Sequence, residues 1–376
     1  MIIISLFLAA LVIFRGILRL SISRWWKVTL GVSAAIVAFK FYILRIFGGK
    51  MFFAPELPAW ILLIFAWLFA FLMFWSSWLI LCDLLKTIFF ISEKIRKRKI
   101  ELRFSDARWR TFGVLPAALL VSVGMYYGLK TPDVAEKTLI VKDLPLEFDN
   151  LRIVHLSDIH ADPVNGEKRV RKIVDIANSL NGDLIVLTGD FVDGRVAVHG
   201  KDLEVLKELN APMGVFGVPG NHEYYSGYDE WLAFLRHDCG IRMLENQSVL
   251  LGQGKIALGG VTDIAARHKN LPEPDVVKAF DGVPPGVFRI LLAHQPKLAA
   301  AAEAAGVDLQ LSGHTHGGMI IGFNLLVAAF NNGLYSGVYE SGDMILHISN
   351  GTGIWNGFPI RLGYPSEISV LTLKRK

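Results

Sequence analysis

Apolar positions follow one pattern before about residue 130 and another after it. In the first part they run on without alternation: Leu57 to Cys82, LPAWILLIFAWLFAFLMFWSSWLILC, is 26 residues without a charge. Such a run is long enough to cross a bilayer with some tilt and too apolar for a surface helix. Thr111 to Leu129 adds 19 uncharged residues, and a membrane helix tolerates its Pro116. Ile2 to Phe14 is shorter, with Arg15 and Arg19 just beyond it. Val28 to Gly49 contains Lys40 and Arg45, which can snorkel from near a helix end. Reading both early segments as spanning gives four helices in a transmembrane module over residues 1–130. A cleaved signal peptide or interfacial helices are the alternative.

After a linker expected over 131–148, the runs shorten to strand length within a domain over 149–376. Leu151–Leu156, Asp183–Thr188, Gly214–Val218, Ile256–Val261, Phe288–Ala293 and Val307–Leu311 read as strands. Helical patterns lie between several of them, at Lys168–Leu180, Lys201–Leu209, Tyr228–His237 and Lys297–Ala305. Strand character returns at Met344–Ser349 and Ile368–Leu373. This alternation predicts a layered α/β sandwich rather than a bundle.

Charge sharpens the division. Through Lys137 there are 18 Lys and Arg against 7 Asp and Glu, whereas the remainder has 21 against 27. The basic balance therefore belongs to the apolar module, and no nucleic-acid partner is indicated for the domain. Nine basic residues lie between Lys86 and Arg110, including Lys94, Arg96, Lys97, Arg98 and Lys99. The positive-inside rule puts that connector in the cytoplasm, and one further crossing at 111–129 delivers the domain to the extracytoplasmic side of a plasma (inner) membrane. Arg15, Arg19, Arg24 and Lys27 fit the same scheme; Arg45 and Lys50 oppose it. Cys82 ends an apolar run and leaves Cys239 alone in the domain, which excludes a disulfide framework there.

The chemistry sits where the strands end. The first strand leads into SDIH (Asp158, His160), the second into GDFVD (Asp190, Asp193) and the third into PGNHE (Asn221, His222). Later come AHQP (His294) and SGHTHGG (His314, His316). The Asp-X-His spacing in extended chain would put both side chains on one face, as two ligands of one ion require. Gly313, Gly317 and Gly318 would let His314 and His316 reach separate ions from a tight turn. Each fragment alone is a weak signal, but five in order, each at the carboxyl end of a strand, describe one α/β site.

Together these motifs resemble the calcineurin-like metallophosphoesterases over roughly Leu151 to Lys374. The resemblance implies a sandwich of two mixed sheets flanked by helices, holding two divalent metal ions. Asp158, His160, Asp190 and His316 would hold one ion; Asp190, Asn221, His294 and His314 would hold the other, with Asp190 bridging. Mixed carboxylate, amide and imidazole donors suit Mn, Fe or Zn. His222 would face the substrate and protonate the leaving group, and Asp193 would orient a ligand imidazole or lie at the surface. The implied activity is hydrolysis of phosphodiester, pyrophosphate or phosphomonoester bonds by a metal-bridging hydroxide. The alternative is an inactive membrane sensor or scaffold. The membrane attachment is also similar to that of bacterial relatives acting on lipid-linked phosphate compounds, including some UDP-diacylglucosamine hydrolases. Expected partners are membrane lipids and a phosphate-containing small-molecule or lipid-linked substrate. His155 is assigned packing or a local hydrogen bond, and His199, His237, His268 and His347 ordinary loop, surface or sheet roles. Asn350–Pro359 is either a substrate mouth or a packed turn, and Arg361 binds a distal phosphate or pairs with a carboxylate.

Overall fold

Uninterrupted apolar runs become helices because a helix satisfies its own backbone groups where water cannot. The computed structural model describes residues 2–49, 51, 54–97 and 106–376. It divides after Tyr126 into two units. The first contains α1 (Ile2–Leu11), which continues through π and 3₁₀ turns to Arg19, α2 (Arg24–Ala38), α3 (Lys40–Phe47), α4 (Ala59–Arg96) and α5 (Asp106–Phe112). Helix α6 (Val114–Leu129) ends just past the division.

Among the described residues, three helical stretches are long and apolar enough to cross a membrane: Ile2–Arg19, Ala59–Arg96 and Ala107–Leu129. A bend of 67° separates α2 from α3, so four spans result only if this broken pair counts as one. At 38 residues, α4 extends about 57 Å, well beyond a hydrocarbon layer of about 30 Å. Lys86 to Arg96, expected as connector, is therefore the end of this helix. Arg98, Lys99 and Lys50, used to orient the chain, lie outside the described residues. Just after the uncharged run, Asp83 of α4 accepts from Arg15 Nε at 2.9 Å and also from Arg110. One carboxylate thus ties three helical segments of this unit together.

The second unit holds two six-stranded sheets. The first runs β1-β12-β2-β3-β4-β5 and the second β10-β11-β9-β8-β7-β6. In chain order the strands are β1 (Asp133–Val141), β2 (Arg152–Leu156), β3 (Leu184–Thr188), β4 (Val215–Val218), β5 (Arg242–Met243) and β6 (Gln247–Leu251). They continue with β7 (Ile256–Gly260), β8 (Phe288–Leu292), β9 (Leu309–Ser312), β10 (Gly337–Ser341), β11 (Met344–Ile348) and β12 (Glu367–Arg375). The helices are α7 (Glu167–Ser179), α8 (Val196–Leu203), α9 (Asn221–Ser226), α10 (Tyr228–His237), α11 (Val276–Ala279), α12 (Ala299–Ala304) and α13 (Phe323–Phe330).

Period-two alternation explains the layering. On β2 and β3, Ile153, Leu184 and Val186 face the second sheet's Leu258, Ile290 and Leu311 in the inner core. Their neighbours Val154, Ile185 and Leu187 face Ile173, Leu203 and Trp231 on the helices outside. A third core joins β8 and β11 to α11 and α12. Strands buried on both faces read as continuous apolar runs, which is why the central ones are visible in the sequence. The expected sandwich of two mixed sheets flanked by helices is the architecture found.

The expected linker is not one. Residues 133–141 form β1, which pairs along its whole length with β12, and Leu139 and Val141 lie in the inner core. As an edge strand β1 buries little else, so its apolar signal is weak. The same reason hides β6 and β10, whose residues are only partly buried. Because β1 runs parallel to β12 and β12 antiparallel to β2, Asp133 lies at the carboxyl end of β2.

Candidate metal centre

In the first sheet β2, β3 and β4 are parallel neighbours; in the second, β7, β8 and β9 are. The loops leaving β2, β3, β4, β8 and β9 carry all eight residues singled out as ligands or catalyst. The structure brings them together at one end of the sandwich. Asp158, His160 and His316 form one group whose donor atoms lie within 4.8 Å of one another, and Asp190, His294 and His314 form a second. The two groups meet at Asp190 Oδ2, which is 3.2 Å from His294 Nε2 and 3.8 Å from His160 Nε2. Asn221 Oδ1 lies 3.1 Å from His294 Nε2.

The backbone is bent to achieve this. Asp158, His160, Asp190, His314 and His316 have φ of 54°, 49°, 53°, 71° and 50°. The left-handed region is costly for side-chain-bearing residues and clusters at functional sites. Asp158 and His160 therefore depart from the extended chain expected, each taking a left-handed backbone conformation. Gly317 has the expected positive φ, 63°. Gly313 serves space instead: a Cβ there would sit 2.3 Å from Asp158 Oδ2. Gly220 is tighter still, since its Cβ would meet Asp190 Oδ1 at 2.2 Å and Asp190 N at 2.4 Å. Gly220→Ala is expected to displace the Asp190 carboxylate and lower turnover by about 100-fold, a 1 Å misplacement being worth that much. Circular dichroism should show an unchanged fold; wild-type turnover in the variant would contradict this geometry.

Hydrogen bonds fix which ring nitrogens face the centre. His294 Nδ1 is 2.7 Å from Thr188 O, so it donates there and turns Nε2 towards the centre. His160 Nδ1 is 3.1 Å from Asp193 Oδ2, which likewise points its Nε2 inward. The other oxygen of Asp193 takes His222 Nδ1. Asp193 is thus buried, not a surface carboxylate, and aligns two imidazoles at once. Burial alone would raise its pKa, but His222 and then His160 hold it at about 2. Burial likewise opposes charge on His222, yet Asp190 and Asp193 push it up to about 9. Its ring is flanked by Tyr225 and Trp355, with centroids at 5.6 and 6.4 Å.

His314 and His316 stay neutral: burial, then His294, takes the first down to about 3, and burial, then Arg361, takes the second well below the usual histidine range. Against burial, Asp190 raises His294 well above the usual histidine range and Asp193 raises His160, so a divalent cation binding there would displace their protons. Four imidazoles, two buried carboxylates and an amide oxygen converging on one place fit such a cation.

Sequence reasoning missed three supports. Glu223, inside the GNHE motif, accepts from the backbone N–H of Asp190, Phe191 and Gly220 at 3.0, 2.8 and 2.6 Å. Arg361 binds neither a distal phosphate nor a carboxylate: fully buried, it donates to the carbonyls of His316 and Gly353 and reaches His316 Nδ1 at 3.0 Å. Asn350–Pro359 is largely a packed turn, from which Trp355 alone is partly exposed.

The third support is a buried chain between the sheets. Lys137 Nζ lies 3.2 Å from His347 Nε2, and His347 Nδ1 lies 3.2 Å from His155 Nδ1. His155 Nε2 is 2.7 Å from Thr188 Oγ1, which donates to Ser157 Oγ, which donates to Asp158 Oδ2 at 2.6 Å. Burial, then Lys137, lowers His155 to about 3, and burial, then His155, takes His347 well below its ordinary value. Both rings are neutral when folded and protonate near pH 6.5 when exposed. The stability that depends on their being neutral is therefore fully present well above pH 6.5 and declines as pH falls, for His155 down to about 3. Hydrogen exchange should show β2 and β11 losing protection between pH 7 and 5, and His155→Asn should flatten the loss. Equal protection at both values would refute it.

This chain is similar to known proteins over the same region. A family model for calcineurin-like phosphoesterases matches residues 151–318. An uncharacterized metallophosphoesterase of Campylobacter jejuni is 34% identical over 264 residues, covering 70% of this chain and 69% of the relative. A zebrafish (Danio rerio) protein described as a transmembrane protein with metallophosphoesterase domain is 33% identical over 293 residues, covering 74% and 66%. Among solved structures, Haemophilus influenzae NAD nucleotidase matches with a TM-score of 0.37 at 15% identity, over 54% of this chain and 51% of that one. The Thermus thermophilus 5'-nucleotidase precursor matches with a TM-score of 0.38 at 17% identity, over 59% and 55%. The chain thus spans about half the length of those two structures.

Proposed function

Since this chain belongs to the calcineurin-like metallophosphoesterase family, and is thereby a metal-dependent phosphoester hydrolase, we propose that it works with two divalent ions on phosphodiester or pyrophosphate bonds. Asp158, His160, Asp190 and His316 would hold one ion, and Asp190, Asn221, His294 and His314 the other, with Mn, Fe or Zn suiting the donors. Bound there, the ions would acidify a water and offset charge growing on the phosphoryl oxygens. The chain's own residues do the rest. Asp193 aims His160 inward and holds His222 at the rim of the centre. His222 carries a proton there and supplies it to the departing alkoxide. Tyr225 and Trp355 flank that imidazole and limit how a leaving group approaches it. The observation that carries the reading is the placement of Asp190 Oδ2 between His160 and His294.

The substrate is proposed to be lipid-linked, because a domain tethered to a bilayer meets membrane-borne esters at raised effective concentration. The basic connector after α4 supports an extracytoplasmic position at a plasma membrane. A surface cysteine that reacts with an impermeant reagent only after lysis would reverse that side.

The test of the reaction uses the detergent-solubilised full chain, stripped with a chelator. Hydrolysis of bis(p-nitrophenyl) phosphate should vanish on stripping and return with Mn²⁺. Inertness towards a diester, a pyrophosphate and a monoester, with every candidate metal supplied, would refute it.

A further inference from the structure

Helix α13 is built inside out. On a helix packed against a soluble core the buried stripe is apolar. Here Asn324 is the buried residue of α13, and Asn331, seven positions on and so on the same face, is buried as the helix ends. Asn324 Oδ1 accepts from Gly322 N at 2.8 Å, in space that Gly318 leaves by having no Cβ. The apolar residues face out: Leu325 and Phe330 are each 69% exposed, Ile321 just before the helix is 73% exposed, and Leu326 is exposed too. From Gly317 to Tyr339 there is no charged residue. A contiguous apolar face without a charge marks an interaction surface.

Chain path identifies what covers it. Gly128 and Leu129, at the end of the apolar stretch Ala107–Leu129, give their carbonyls to Arg169. Only residues 130–132 separate them from β1, a reach of about 10 Å. Asp133 then lies, one strand over from β12, at the level of the carboxyl end of β2, the end that leads into Asp158 and His160. The chain therefore leaves the sandwich towards the apolar stretch at the same end as the metal centre. Helix α13 is at that end as well, because it follows His316 within seven residues, and Ile320 bridges to Leu362 beside Arg361.

We infer that Ile321 and the outer face of α13 form a membrane-docking surface that enters the bilayer interface and presents the metal centre to phosphate esters carried on acyl or polyprenyl chains. A partner with an acidic or basic face is disfavoured, since the surface offers no charge to pair with. An uncharged apolar face suits the interfacial zone, where binding scales with buried apolar area. The docking stands on α13 and the chain path alone; the substrate class also rests on the proposed reaction.

The experiment uses the full chain with Cys82→Ser and Cys239→Ser, and one new cysteine carrying a polarity-sensitive fluorophore. Leu325→Cys reports on α13, and Ser179→Cys, exposed near the opposite ends of the strands, is the reference. In phosphatidylcholine–phosphatidylglycerol vesicles, doxyl-labelled lipid should quench the label at 325 and not at 179, and iodide should quench 325 at least about fivefold less. Equal iodide access at both positions would overturn the proposal, as would protection at 325 without quenching by lipid, which signals a protein partner or a second copy. A second arm compares a vesicle-borne p-nitrophenyl phosphatidate with soluble bis(p-nitrophenyl) phosphate. In Leu325→Gln with Phe330→Gln, the ratio of vesicle-borne to soluble turnover should fall about tenfold, the cost of weakening interfacial contact by two apolar side chains. An unchanged ratio would remove the substrate class. If unaltered protein cleaves neither ester, the reaction is wrong while the quenching result still decides docking.

Discussion

Asp190→Asn lowers turnover of bis(p-nitrophenyl) phosphate by about three orders of magnitude and leaves the fold intact. Asp190 Oδ2 lies 3.2 Å from His294 Nε2, 3.8 Å from His160 Nε2 and 3.9 Å from His222 Nε2, while Oδ1 accepts from the His222 backbone at 2.9 Å. His294, then His222, hold this carboxyl well below its ordinary range against the effect of burial, so it is ionised. An amide keeps the shape but removes the charge and turns one acceptor into a donor aimed at imidazoles. Metal assistance is worth several kcal/mol of transition-state stabilisation, and each 1.36 kcal/mol is tenfold in rate. A loss of about 4 kcal/mol gives the expected figure. Metal analysis of the purified variant should show fewer than two ions per chain. Turnover within about threefold of the unaltered protein would mean that Asp190 does not join the two groups of donors.

His222→Gln acts differently, and that difference tests the division of labour. General acid catalysis contributes about 10²–10⁴-fold, so kcat should fall within that range while metal content stays unchanged. The loss should also depend on the leaving group. A nitrophenolate departs readily without a proton, whereas an alkoxide needs one, so methyl and other alkyl esters should suffer most. Asp193 sets the proton on His222, and Asp193→Asn should reproduce part of the leaving-group dependence. Equal turnover in His222→Gln across both ester types would make the histidine dispensable and reopen the reading of the chain as a metal-binding sensor or scaffold.

Much of this protein can be read from its residues in order. Unbroken apolar runs announce the helices around Leu57–Cys82 and Thr111–Leu129 because a backbone leaving water must satisfy itself. Central strands such as β3 and β8 show because both of their faces are buried. The eight polar residues of the candidate centre show because each follows such a strand, where α/β folds place their chemistry. Edge strands do not announce themselves: β1 reads as linker because half of it is exposed, and its place is set by β12, more than 200 residues away.

Tertiary structure alone decided the rest. His155 and His347 look like ordinary sheet residues until the two sheets close and put their Nδ1 atoms 3.2 Å apart. Arg361 looks like a substrate anchor until folding buries it behind His316, where it donates to that residue's carbonyl. Asp193 could stand at the surface until His160 and His222 arrive from different loops to share it. Helix α13 has an unremarkable apolar composition, and only packing shows that its asparagines face in and its leucines out. The sequence determined which residue types follow which strands, since that is local pattern and burial. Which of them meet, and which carry protons or lone pairs towards one another, depends on contacts between distant segments, and those exist only once the chain has closed.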